Sequence, residues 1–212
     1  MTRILLALTA AIAAILLPQS SLFAQSDSQA VDGPAFDCSK AESQIETLIC
    51  EDADLAALDR LINARFEEAV ASIRKLDAGA EEAEKSLRAY QRGWIKGRND
   101  CWKADTPKTC VELAYQRREG ELVAQNMLEK PVGMARWQCG GNPANEVYTF
   151  FFDTELPSIR IEYGDTIDTG SLAPSGSGSR YEASFGRSFW SKGNEAVFDN
   201  GDGNEQSCEK VD

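Results

Sequence analysis

The sequence contains no histidine. Histidine is the usual general base beside a nucleophilic serine or cysteine, and its imidazole is the commonest metal ligand in proteins. Without it, Ser-His and Cys-His nucleophile pairs are impossible and a zinc site is disfavoured. We therefore expect no metal, no cofactor and no enzyme of the triad type.

Basic residues are scarce, since 22 lysines and arginines face 34 aspartates and glutamates and the formal net charge is -12 at pH 7. A nucleic-acid-binding surface depends on lysine and arginine to neutralise phosphates. The charge balance thus excludes nucleic acid as a natural partner. An acidic surface keeps a protein soluble, and it also attracts a basic protein partner.

The N-terminal segment has the pattern of a secretory signal peptide. Arg3 precedes an apolar run over residues 4–17, and the small residue Ala24 ends a suitable cleavage site. The run has about 14 residues, fewer than the roughly 20 that span a bilayer. No cysteine lies near Ala24 to accept a lipid. These features predict a signal peptide over residues 1–24 and a periplasmic or secreted chain without stable membrane insertion.

An even number of cysteines in an exported chain predicts a set of disulfides. The six cysteines are Cys38, Cys50, Cys101, Cys110, Cys139 and Cys208. Many pairings are formally possible, but bonds between neighbours are geometrically simple, and these favour Cys38–Cys50 and Cys101–Cys110. A bond between the last two cysteines would join the two ends of the C-terminal region, with a stabilisation of about 4 kcal/mol in the loop-entropy model.

The first half of the mature chain has the periodicity of helices. After a polar linker over residues 25–34, apolar side chains recur three or four residues apart through a domain at residues 35–130. Helices are predicted at residues 43–49, 52–75, 80–99 and 107–128. We expect an all-α, disulfide-stapled helical bundle.

The composition changes after Pro131 to glycine, serine, threonine and aromatic residues in short alternating runs. Such runs predict short antiparallel strands, and their close spacing favours a small barrel or sandwich over residues 131–212. Strands are predicted at residues 135–139, 147–152, 158–163, 166–172, 179–183, 187–191, 196–198 and 207–211.

Two segments of this second half are unusual. Residues 175–181 read Ser-Gly-Ser-Gly-Ser-Arg-Tyr, and residues 189–193 read Phe-Trp-Ser-Lys-Gly. Each segment alone is typical of a turn or of a strand that enters a hairpin. Together they favour a function, because a loop with little side-chain bulk can enter a narrow cleft and glycine permits backbone shapes that other residues resist.

These two segments, in this order and bracketed by cysteines, resemble the MliC and PliC family of c-type lysozyme inhibitors over residues 135–210. The resemblance implies an eight-stranded antiparallel barrel, with Ser177 and Lys192 placed in the lysozyme active-site cleft. The candidate lysozyme-binding residues are Ser175, Gly176, Ser177, Gly178, Arg180, Tyr181 and Lys192. An aromatic residue at position 181 or 190 is more typical of core or loop support than of direct contact.

The chemistry of the lysozyme cleft agrees with this assignment. The cleft holds one protonated and one ionised carboxyl group, and lysozyme is the standard example of such a pair. A serine hydroxyl both donates and accepts hydrogen bonds, so Ser177 suits a mixed pair. The ammonium of Lys192 would pair with the ionised carboxylate. Both carboxyl groups of the cleft would be occupied, and the inhibitor would offer them no bond to cleave.

The helical half resembles the N-terminal domain of the LprI type over residues 36–128. The similarity lies in residues 37–41, 46–50 and 55–59, in Gln91-Arg92-Gly93-Trp94, and in Cys101, Cys110 and Tyr115. The family name also refers to lysozyme inhibition. No inhibitory residue can be placed in this half, and a stabilising or positioning domain fits equally well.

Two other functions remain as alternatives. One is an envelope module that binds glycan or protein through the helical domain. The other is a glycan hydrolase with paired acids, such as Asp165 with Asp168 or Glu182 with Glu195, although their spacing is also that of solvated turn acids. The acidic run at residues 199–205 departs from a calcium-loop pattern and is better explained as an Asp-Gly hairpin turn.

Overall fold

The computed structural model of the protein describes residues 33–211. The predicted signal peptide and most of the predicted linker lie outside these residues. The described residues belong to one compact unit, in which the helical part and the barrel pack against each other.

Four helices make up the first part, as the apolar periodicity predicts. They are α1 (Gln44–Glu51), α2 (Ala53–Ile73), α3 (Ala80–Asn99) and α4 (Pro107–Asn126), with 3-10 turns at Cys38–Lys40 and Asp100–Lys103. Local signals fix their starts. Ser43 and Glu46 form a reciprocal capping box before α1, and the Asp52 carboxylate accepts backbone hydrogen bonds at the start of α2.

The core of the helical part combines apolar side chains with one buried polar cluster. Arg98 donates to the hydroxyl of Tyr115 at 2.7 Å and to Asp59 at 3.3 Å, and the Tyr115 hydroxyl donates to Asp59 at 2.7 Å. Because each charged group has a partner, the cluster can stay buried. The surrounding apolar core includes Ile45, Ile49, Leu55, Ile62, Val70, Val111 and Leu122.

Three disulfides staple the chain. Cys38–Cys50 and Cys101–Cys110 lie in the helical part, and Cys139–Cys208 joins the first strand of the barrel to the last. The last bond spans 69 residues of sequence. It therefore restricts a long loop of the unfolded chain.

The second part is a closed antiparallel barrel of eight strands in sequential order, as predicted. The strands are β1 (Gly133–Cys139), β2 (Glu146–Phe152), β3 (Ser158–Tyr163), β4 (Thr166–Ala173), β5 (Ser179–Ala183), β6 (Ser188–Lys192), β7 (Glu195–Asp199) and β8 (Glu205–Val211). Pairing of β1 with β8 closes the barrel. Its interior is filled by side chains that include Trp137, Val147, Ile159, Ile161, Phe189 and Phe198.

Helix α4 packs on the outer wall of the barrel, over β2, β3 and β4. Gly120 of α4 faces Ser158 so closely that a Cβ atom on the glycine would lie 2.7 Å from the Ser158 Cβ atom. Phe152 of β2 is buried against Val123 and Ala124 of the helix. The close approach of α4 to Ser158 of β3 therefore requires glycine at position 120.

Polar contacts complete the junction. The Glu119 carboxylate accepts a 2.9 Å hydrogen bond from the backbone nitrogen of Glu155, and Arg160 donates to the carbonyl oxygen of Gln125 at 2.6 Å. Arg160 thereby satisfies a carbonyl in the last turn of α4, where the helix leaves such groups without internal partners. The orientation of the two parts, which the sequence leaves open, is thus set by specific contacts.

Candidate functional site

The two unusual segments of the sequence meet at one end of the barrel. Consecutive antiparallel strands place the β2–β3, β4–β5 and β6–β7 connections at the same end. The β4–β5 connection is the serine-glycine loop, residues 174–178, and Lys192 is the last residue of β6. Ser179 pairs with Ser191 in the sheet, so the loop and the lysine start from neighbouring positions.

Trp190 of β6 holds the serine-glycine loop. Its indole nitrogen donates a 2.7 Å hydrogen bond to the carbonyl oxygen of Ser177. Within the loop, the Ser175 hydroxyl donates to the carbonyl oxygen of Gly178 at 3.0 Å. These two bonds link the loop to β6 and to itself, while Ser177 lies on the exposed surface.

Gly178 brings the loop into contact with β6. Its φ is +70°, a conformation that favours glycine, and a Cβ atom there would overlap the carbonyl oxygen of Ser191. The same atom would lie 3.1 Å from the Cβ atom of Lys192. The loop backbone therefore packs directly beside the lysine.

Lys192 is a free cation on an acidic barrel. Residues 131–212 contain 13 acidic and 6 basic residues. Four of those cations lie in ion pairs, which are Arg136–Glu146, Arg160–Glu162, Arg180–Glu182 and Arg187–Asp168. Lys192 is exposed and forms no ion pair within residues 33–211. Its ammonium is available to a carboxylate from outside the chain.

The remaining candidate residues differ in their accessibility. Ser175, Gly176 and Gly178 are exposed with Ser177, and exposed Arg180 lies 3.9 Å from Glu182. Tyr181 is buried inside the barrel, with its ring centroid 5.6 Å from that of Phe151. Burial raises the pKa of the Tyr181 phenol. Tyr181 thus supports the barrel wall and is not placed for direct contact.

The acids considered for catalysis have other roles. Asp168 is buried and pairs with Arg187 at 3.1 Å, while Asp165, Glu182 and Glu195 are exposed. In the run at residues 199–205, side-chain oxygens accept hydrogen bonds from nearby backbone nitrogens, as in a tight turn. Across residues 33–211 no group of three acidic, histidine or cysteine side chains could hold a metal ion.

The geometry is that of an exposed surface suited to contact with another molecule. A closed barrel presents a thin, hydrogen-bonded loop, and beside it lies the ammonium of Lys192, which has no ion-pair partner within residues 33–211. Such a site offers hydrogen bonds and one positive charge to a recess in another molecule. The two segments stand out in the sequence, whereas the contact of Gly178 with Ser191 is visible only in the structure.

Both halves of the chain match families of lysozyme inhibitors. The family described as "Membrane-bound lysozyme-inhibitor of c-type lysozyme" matches residues 137–207, which lie in the barrel. The family described as "Lysozyme inhibitor LprI" matches residues 37–129, the helical part. Each half of the chain is thus similar to a family that is described as inhibitors of lysozyme and not as enzymes.

Curated relatives carry the LprI name as well. Proteins named "Lipoprotein LprI" from Mycobacterium bovis and Mycobacterium tuberculosis are 26% identical over 151 residues, which is 70% of this chain and 71% of each relative. No solved structure matches the chain. No helix within residues 33–211 is long and apolar enough to cross a membrane.

Proposed function

We propose that the protein inhibits c-type lysozyme by inserting the serine-glycine loop and Lys192 into the active-site cleft of the enzyme. The observation that carries this proposal is the contact between the two segments: Trp190 binds the Ser177 carbonyl, and Gly178 packs beside Lys192. A hydroxyl and an unpaired ammonium are then presented together, which is the pattern that a mixed pair of carboxyl groups requires.

The physical mechanism is occupation of both catalytic acids. The hydroxyl of Ser177 would donate to the ionised carboxylate or accept from the protonated acid, and Lys192 would pair with the negative charge. Exclusion of water from the cleft strengthens this ion pair. The loop contains peptide bonds and no glycosidic bond, so the acids have nothing to hydrolyse.

The charge of the rest of the molecule would speed the encounter. A net charge of -12 attracts a basic lysozyme over several ångströms, whereas the local positive charge of Lys192 fixes the bound position. We place this activity in the periplasm or outside the cell, where the predicted signal peptide would direct the chain. Inhibition should then weaken as salt screens the long-range attraction.

The test is inhibition of cell lysis by a basic c-type lysozyme, with the mature chain and its Ser177→Ala, Lys192→Ala and doubly substituted variants. Removal of one partner of a buried charged pair costs about 2–5 kcal/mol of binding, so Lys192→Ala should weaken inhibition at least about thirtyfold. Lys85→Ala, which removes an exposed lysine from α3, is the matched control. Full inhibition by the folded double variant would show that the site is elsewhere.

A further inference from the structure

A groove between the helical part and the barrel ends at the serine-glycine loop. Its volume is about 560 Å³. Tyr90 of α3 and Leu113 of α4 line it from the helical side, and residues 169–174 line it from the barrel side. Pro174, the last of these, is followed directly by Ser175. The groove and the candidate site therefore form one continuous surface.

The two walls of the groove are held in place by the junction described above. Gly120 packs on Ser158, and Glu119 accepts the backbone hydrogen bond of Glu155, a neighbour of groove residue Leu156. A preformed recess loses less conformational freedom on binding than a flexible one. The structure thus provides a second rigid contact surface next to the loop.

The lining of the groove combines apolar and polar side chains. Tyr90 and Leu113 are large apolar residues that are 56% and 37% exposed. Glu121 and Glu182 add two carboxylates, each of which also pairs with an arginine of its own element, and Arg117 adds one cation. This composition fits an apolar side chain flanked by lysine or arginine, as found on the surface of a basic protein.

The size of the loop also calls for an additional contact. A stable protein–protein interface covers about 800 Å² and about 20–30 residues on each partner. Residues 174–178 with Lys192 are far fewer than that. Further contact area is needed next to the loop, and the groove is a recess that adjoins it.

We propose that this groove binds the same lysozyme as the loop, by accepting an apolar side chain and adjacent basic residues from the enzyme surface beside its cleft. The helical part would then contribute one wall of the groove to the surface that binds lysozyme. This inference rests on the proposed function, because it assumes that lysozyme occupies the loop.

The test compares two groove variants with a control of equal charge change, all in the complete mature chain. Leu113→Lys and Glu182→Gln alter exposed positions in the groove and each add one unit of positive charge, as does Met134→Lys at a residue of β1 that is 65% exposed outside it. The affinity for a basic c-type lysozyme is measured by calorimetry and by inhibition of lysis. We expect the groove variants to weaken binding about tenfold and Met134→Lys to change it by less than about twofold.

The outcomes separate this inference from the proposed function. If the wild type inhibits, Lys192→Ala does not, and the groove variants behave like Met134→Lys, the groove is not a contact surface and the proposed function stands. If the wild type does not inhibit lysozyme, both are wrong. If the groove variants keep full inhibition but lose co-sedimentation with peptidoglycan, the groove binds glycan and this inference is overturned.

Discussion

Gly178 and Ser191 are in direct backbone contact. The glycine has a φ of +70°, and a Cβ atom at this position would overlap the carbonyl oxygen of Ser191. This contact joins the serine-glycine loop to the strand that carries Lys192. The position of the loop therefore depends on glycine at position 178, and a substitution there tests this dependence.

Gly178→Ala should therefore displace the loop and weaken lysozyme inhibition, while the barrel stays folded. Strain at positive φ together with the overlap should lower the free energy of unfolding by about 1–3 kcal/mol. The matched control is Gly141→Ala in the β1–β2 connection at the opposite end of the barrel, since this glycine has a similar φ of +66° and a Cβ atom there meets nothing within 4 Å. Equal inhibition by both variants would contradict a requirement for the contact between the loop and β6.

Trp190→Phe should loosen the loop without disturbing the core. The substitution keeps an aromatic ring and removes the donor of the 2.7 Å bond to Ser177. A hydrogen bond of this kind contributes about 0.5–1.5 kcal/mol, so inhibition should weaken about two- to tenfold while the melting temperature changes little. Trp102→Phe, at an exposed tryptophan of the helical part, is the control. Unchanged inhibition by Trp190→Phe would mean that the bond does not order the loop.

Gly120→Ala should separate α4 from the barrel. The added methyl group would lie 2.7 Å from the Ser158 Cβ atom, and overpacking of this kind costs about 1–3 kcal/mol of stability. Gly93→Ala in α3 meets nothing within 4 Å, so it should stabilise the protein by about 0.5–1 kcal/mol. Urea unfolding followed by circular dichroism gives both values. Equal stability of the two variants would show that the junction tolerates a looser fit.

Much of this fold could be predicted from the sequence. The periodicity of α3 and the alternation of β3 gave bounds that agree with Ala80–Asn99 and Ser158–Tyr163. Both signals are local, because each depends on which side of a single element meets the core. The capping residues before α1 and α2 are local as well.

The junction between the parts is a long-range property and was not predicted. Phe150, Phe151 and Phe152 form an uninterrupted apolar run within the predicted strand at residues 147–152. The run reflects cover on both sides, with Phe151 packed against the barrel core and Phe152 against α4. A continuous apolar run is typical of a strand buried on both faces, so the signal was present. The partner helix could not be named from it.

The candidate site also combines features that the sequence predicts with features that only the structure shows. Composition and the family resemblance singled out Ser177 and Lys192, but only the pairing of Ser179 with Ser191 shows that their segments are neighbours. Tyr181 was included in the binding set, and the structure buries it beside Phe151. A motif identifies residues and does not reveal which face of a strand each one occupies.

Glu119 gives the stability of the junction a predictable pH dependence. Burial raises the pKa of this carboxyl above its ordinary value of 4.5, despite the hydrogen bond from Glu155 and the nearby charge of Arg65. The folded state therefore binds a proton more readily than the unfolded state, and stability falls as the pH rises from 4.5 through the raised pKa. Glu119→Gln keeps an oxygen acceptor for Glu155 and cannot ionise. We expect the wild type to lose stability relative to this variant between pH 4 and pH 7, as measured by urea unfolding at each pH. If the difference in free energy of unfolding between the two proteins did not change with pH, the pKa of Glu119 would be the same in the folded and unfolded states.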